Sequence, residues 1–141
     1  PKATDSVLPL NLFKGKRGYI EKVAYQINTS YDVGLYDCCA VMCRRLLETL
    51  IIEVYENAGR ALDIKNHGGQ FLMFSDLLAF LLKDKNFNLS RNSQKGLEDF
   101  KKLGDLSAHN RRFNAQRSDI DKIQSGIRVA SEELLHLADL A

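Results

Sequence analysis

The chain has 141 residues, 45% hydrophobic and 27% charged, with 2 Pro, 9 Gly and no Trp. At that length roughly two-thirds of the unfolded surface can be buried, so a disordered tail, a collagen, a secreted mini-protein and a membrane span are all excluded. A net charge of +2 is far from the strongly basic balance of a protein that coats nucleic acid, and 3 cysteines, an odd number, argue against a disulfide scaffold and for a reducing, cytoplasmic setting.

In chain order, the start at Pro1 without Met reads as a processed product or a piece of something longer, and the first residues lack a charged-then-apolar signal layout. Residues 1–18, ending in Lys14-Gly15-Lys16-Arg17-Gly18, read as a basic lead or linker, and residues 19–141 as one helical bundle. A first helix over about 19–28 places Ile20, Val23, Ala24 and Ile27 on one face, and Asp32 with Gly34 breaks it. The second, about 35–58, groups Ala40, Cys43, Leu47, Leu50, Ile51 and Val54 on one face and leaves Glu53, Glu56 and Asn57 away from it. Gly59 supplies its stop.

A loop over Asn66-His67-Gly68-Gly69 follows. The apolar run Gln70–Leu82 is too short for a bilayer and is interrupted by Ser75 and Asp76, so it reads as a core helix, with Ser75 as cap and an end near Lys83. Ser90 caps a fourth helix reaching His109. Ser118, with Asp119 and Asp121, opens a fifth, whose Ile120, Ile123, Ile127, Ala130, Leu134 and Leu137 keep an unbroken three–four spacing. The fold expected is all-α, an up-and-down bundle of about five helices.

Few residues carry candidate chemistry. Cys38, Cys39 and Cys43 share a helix, with Cys38 pointing about 100° away from the other pair, and no second CxxC or nearby His completes a tetrahedral site. They read as small buried hydrophobes, and neither a metal nor a cofactor is expected. His67 lacks P-loop spacing around it and reads as a loop residue. His136 lies opposite its helix's apolar seam and reads as solvated.

The segment from Lys101 to Arg117 is different. Lys102, Asp105 and His109 fall within about 60° on one helical face, while Leu97, Phe100, Leu103 and Ser107 take roughly the opposite one. Lys101, Lys102, Arg111, Arg112 and Arg117 stand against Asp105 alone, a local +4 within a chain of +2. A cationic surface around a histidine can bind phosphate and move protons. It can equally be a solvated helix end where cations complement the dipole.

Two short motifs give this chain a family likeness. Arg44-Arg45-Leu46-Leu47-Glu48 and Gly104-Asp105-Leu106-Ser107-Ala108-His109 resemble the RrllE and G[ND]xxAH signatures of a branch of the HEPN superfamily catalogued as a domain of unknown function. The resemblance runs from about residue 19 to 140. It implies a homodimer with the motif helices facing each other, inside a larger bacterial protein, in a defence-related setting. Active HEPN proteins carry an Arg and a later His with four to six residues between them, a metal-independent ribonuclease site in which His assists the 2′-hydroxyl and Arg stabilises the phosphorane.

Here the three positions where that Arg would stand hold Gly104, Leu103 and Lys102. Lys102 has the right sign without the guanidinium fork, and Arg111 and Arg112 follow His109 instead of preceding it. The leading expectation is therefore a non-catalytic, dimerising HEPN-like interaction module that contacts RNA or DNA phosphates through Lys101, Arg111, Arg112 and Arg117, with Arg44, Arg45, Glu48 and Gly104 in structural roles and a partner domain or protein beyond this segment. The alternatives are a metal-independent endoribonuclease, with His109 as acid/base, Lys102 as charge stabiliser and Asp105 as orienter, and a purely structural adaptor.

Overall fold

A computed structural model describes residues 4–141, apart from the side chain of Ala108. It is all-helical: α1 (Gly18–Asp32), α2 (Tyr36–Asn57), α3 (Phe74–Lys83), α4 (Arg91–His109) and α5 (Arg117–Leu137), with short 3-10 turns at Leu10–Leu12 and Ala61–Ile64. Among the described residues there is no strand, only an isolated bridge between Lys65 and Phe71. No described helix is long and apolar enough to cross a membrane.

The helices form where apolar residues recur at helical spacing, and the same residues make the core. Ile20, Val23, Ala24 and Ile27 of α1 are buried, as are Cys43, Leu47, Leu50, Ile51 and Val54 of α2 and Ile120, Ile123, Ile127, Ala130 and Leu134 of α5. α2 is the central element and touches each of the other four helices. Its end bonds back to the start of α1, where the Tyr19 hydroxyl donates to Glu53, so these two helices run antiparallel. α4 and α5 also run antiparallel, because Glu133, near the end of α5, accepts from Ser90 and Ser93 at the start of α4.

Three helices end in the same way. After α1, Gly34 takes a positive φ of 82°, and Gly34 and Leu35 donate back to the carbonyls of Tyr31 and Ser30, a Schellman stop that satisfies the last carbonyls of the helix. Gly59 does this after α2 at φ 72°. After α5 the left-handed position falls on Asp139, at φ 59°.

Three details differ from the sequence expectation. The segment before α1 is packed into the bundle: Val7, Leu8 and Phe13 are fully buried. Asn28 holds it there, its Oδ1 accepting from the Val7 and Leu8 N–H groups at 3.0 and 2.8 Å and its Nδ2 donating to the Leu8 carbonyl at 2.8 Å. Secondly, Glu53 is buried at 7% exposure rather than turned to solvent, because Tyr19 and the Arg17 guanidinium at 3.1 Å replace the water it loses. Thirdly, neither Ser75 nor Ser118 caps a helix. α3 begins at Phe74, and α5 is capped by Gln116 in a reciprocal capping box with Asp119. Ser90 does cap α4, its hydroxyl accepting from the Ser93 N–H at 3.1 Å.

Candidate functional site

The two motifs meet in space. Ala40, Val41 and Arg44 of α2 and Gly104 and Ser107 of α4 line one pocket of about 80 Å³. Arg44 and Glu48 are one turn apart with 3.9 Å between nitrogen and oxygen, too long for a hydrogen bond. The Glu48 carboxyl is shifted upward by its burial, an effect that outweighs the opposing pull of Arg44 and of the Phe74 backbone N–H. That N–H is the first of α3, so Glu48 serves the α3 N-terminus, where free N–H groups favour negative charge. Arg45 points into solvent.

Gly104 lies inside α4, where glycine costs about 1 kcal/mol relative to alanine. No neighbour demands it: an added Cβ would come no closer than 3.8 Å, to the Phe100 ring. Ser107, one turn on, has a buried Oγ with no hydrogen-bond partner among the described residues.

The end of α4 is less unified than its charge count implies. Lys101 is tied to Asp105, Nζ to Oδ2 at 2.8 Å, so the carboxylate expected to orient His109 is occupied by a lysine. Lys102 is exposed and lines a groove of about 310 Å³ with Leu106, Asp119 and Lys122. Lys102 and His109 are seven residues apart on the same helix, about 10 Å along its axis. His109 is exposed and is the last residue of α4.

Arg111 and Arg112 occupy the turn that follows, exposed and without an ion-pair partner among the described residues. That turn is pinned to the start of α2, because Asp37 accepts from the Asn114 side chain and the Ala115 N–H, both at 2.8 Å. Arg117 has a different occupation. Its Nε donates to the Tyr31 hydroxyl at 2.9 Å, its guanidinium lies 5.3 Å from the Tyr31 ring centre, and the Tyr31 hydroxyl donates on to Asp121, which raises the phenol's pKa. The five cations thus divide into two committed to internal contacts, Lys101 and Arg117, and three, Lys102, Arg111 and Arg112, open to solvent.

No family model, curated protein or solved structure matches this chain. Its site is therefore read from its own geometry.

A larger surface feature lies elsewhere and has no sequence motif. Between α1 and α2 runs an open, apolar groove of about 550 Å³ lined by Tyr25, Thr29, Val33, Leu35, Val41 and Met42 among others. Val33 is 64% exposed and Val41 61%, and Val41 also borders the Arg44 pocket. The signal for it was present: Val41 lies off the core face of α2, and Leu35 just before that helix is exposed.

Cys39 and Cys43 are the small buried hydrophobes expected, but Cys38 is not: it is exposed at the groove's rim, because it points about 100° away from the core-facing pair, and all three are free thiols. The pKa of the Cys39 thiol is lowered by hydrogen bonding with Cys43, against the effect of burial, whereas that of Cys43 is raised well above the ordinary thiol range by the same hydrogen bond and by burial. The described residues contain no cluster of His, Cys, Asp and Glu able to hold a metal. His67 and His136 are exposed.

Proposed function

We propose that this chain is a non-catalytic, HEPN-like helical module that pairs with a second copy of itself through the outer face of α1 and α2, leaving the α4–α5 turn free to meet nucleic-acid phosphates. The observation that carries the reading is the apolar groove between α1 and α2. Large exposed apolar patches on small domains mark interaction surfaces. A two-fold contact needs one patch that complements itself. This one offers exposed Val33 and Leu35 at the α1–α2 turn in the same groove as Tyr25, Thr29, Val41 and Met42.

The non-catalytic part of the reading is supported by Asp105, held by Lys101 rather than by His109, and by Lys102, Leu103 and Gly104 standing where the arginine of the ribonuclease motif would be. The wider setting, a larger bacterial defence protein in the cytoplasm, belongs to the same proposal and rests on the RRLLE and GDLSAH motifs.

Sedimentation equilibrium across micromolar concentrations tests the pairing. The wild type is expected to be dimeric, and Val41→Glu or Val33→Glu to be monomeric with the unfolding midpoint that the wild type shows once diluted to monomer, since both side chains are exposed in the single chain. A wild type that stays monomeric over that range removes the proposal.

A further inference from the structure

The pocket between α2 and α4 combines three features that its internal packing does not explain. Arg44 projects a guanidinium that makes no hydrogen bond among the described residues, its one ion-pair partner, Glu48, lying 3.9 Å away. The Ser107 Oγ is withdrawn from water without a partner among the described residues, which is unfavourable for a buried hydroxyl. Gly104 is a glycine in mid-helix that no internal neighbour requires, so its missing side chain serves only to keep the pocket open. The space, about 80 Å³, exceeds the roughly 30 Å³ of one water and suits a compact oxyanion.

The remaining polar groups face the same way energetically. The ligand's oxygens would accept from the planar guanidinium fork, which matches phosphate geometry, and from the Ser107 hydroxyl. The carboxylate that could compete for Arg44, that of Glu48, stays 3.9 Å away, beyond hydrogen-bond reach, and burial raises its pKa. All three features belong to the two motifs, RRLLE contributing Arg44 and GDLSAH contributing Gly104 and Ser107.

We infer that Arg44, Ser107 and the open Cα face of Gly104 form a subsite for one phosphate group, supplied either as free phosphate or by a phosphodiester backbone. The inference does not rest on self-association, and it differs from the exposed Arg111–Arg112 turn in requiring a shaped pocket as well as charge.

The test is a titration of isotopically labelled protein with inorganic phosphate at constant pH and ionic strength, with chloride as the matched control. Saturable shifts are expected at the Arg44 side-chain Nε–H and at the Gly104 and Ser107 amides. Arg44→Gln and Gly104→Ala should each weaken phosphate binding roughly tenfold or more, the size expected from losing a hydrogen bond to a charged group or from filling the pocket. Lys85→Gln, which removes one exposed cation elsewhere, should leave it unchanged.

Gly104→Ala keeps the experiment decisive, because the space around its Cβ lets the variant fold. A short single-stranded oligonucleotide that displaces phosphate assigns the subsite to a phosphodiester, and failure to displace it assigns the subsite to free phosphate. Shifts that are absent, or that persist unchanged in Arg44→Gln and Gly104→Ala, overturn the inference.

Discussion

Gly96 of α4 and Gly126 of α5 press backbone to backbone: a Cβ added to Gly96 would lie 2.5 Å from the Gly126 carbonyl oxygen, and one added to Gly126 would lie 2.7 Å from the Gly96 Cα. Neither contact can relax by turning a side chain, since both partners are main chain. The crossing of α4 and α5 therefore depends on this pair, and with it the direction in which α4 carries Gly104, Ser107 and His109.

Gly96→Ala is expected to destabilise the fold by about 2–3 kcal/mol, the upper part of the range for overpacking, despite the gain in helix propensity. Gly104→Ala on the same helix should be neutral or stabilising, as its Cβ meets only ordinary contact. Urea unfolding of the two variants decides the matter. Equal midpoints would mean that the crossing tolerates a methyl group and that the two glycines are not its determinant.

Asn28 is 1% exposed and satisfies the backbone of Val7 and Leu8 at once. Asn28→Ala should cost about 3 kcal/mol or more, because several buried main-chain groups lose their partner together. The loss should be local first, so amide exchange at Val7 and Leu8 is expected to accelerate before that of α2. Retained protection there would show that Val7, Leu8 and Phe13 hold the segment by apolar contact alone.

Asp139 sits at φ 59° in a Schellman stop, donating to the His136 carbonyl while Leu140 donates to that of Leu135. Gly34 and Gly59 fill the same position after α1 and α2. Left-handed backbone costs a non-glycine residue about 1 kcal/mol, so Asp139→Gly should raise stability by roughly 0.5–1 kcal/mol with the α5 end unchanged. A lower thermal midpoint would place an unrecognised role on the aspartate side chain.

These cases show which parts of the molecule a single sequence reveals. The helices were legible because Ile20-Val23-Ala24-Ile27 and the Ile120-to-Leu134 seam repeat at the helical period, and the Ser90 cap because its partner is three residues away. Asn28, Glu53 and Glu133 were not, since each is satisfied by groups distant along the chain. The α1–α2 groove was hidden for a related reason: a helical wheel places Val41 away from the core but cannot say that the outer face of α1 stands beside it. At the site, local charge counting joined Lys101 and Arg117 to Arg111 and Arg112, whereas Asp105 and Tyr31 divert the first two.

Acid should unfold the protein through two half-buried, hydrogen-bonded carboxylates. Burial pushes the Asp84 carboxyl upward, but the Asn86 N–H, the Tyr55 hydroxyl and Arg60 together bring it below its ordinary value. The Glu133 carboxyl is likewise pushed up by burial and brought lower by Ser93 and Ser90. A folded-state value below the unfolded one gives stability that is complete above the unfolded carboxylate range, about pH 4, and is lost as pH falls through the folded value. Glu48, shifted the other way, favours the folded state on protonation and opposes part of that loss. Urea midpoints measured from neutral pH downward should therefore fall below about pH 4.5, and Glu133→Gln should flatten the fall. An identical acid slope in the variant would exclude Glu133 as one of its sources.

The open cations of the α4–α5 turn make a separate claim from the folded role of Arg117. Each phosphate neutralised on a single strand contributes roughly 0.7 to the slope of log affinity against log salt. Replacing both Arg111 and Arg112 by Gln should reduce that slope for a single-stranded oligonucleotide by about 1–1.5, weaken binding across all sequences alike, and leave the unfolding midpoint where it was, since neither side chain has an ion-pair partner among the described residues. Arg117→Gln should do the reverse, lowering the midpoint by freeing Tyr31 and Asp121 with little change in slope. His109→Ala should alter neither quantity greatly and should abolish no RNA cleavage, because Lys101 holds the carboxylate that a histidine acid/base would need. Cleavage in the presence of EDTA that vanishes with His109→Ala would instead make this chain a ribonuclease with Lys102 in the arginine's place, and would require Asp105 to exchange Lys101 for His109 when RNA binds.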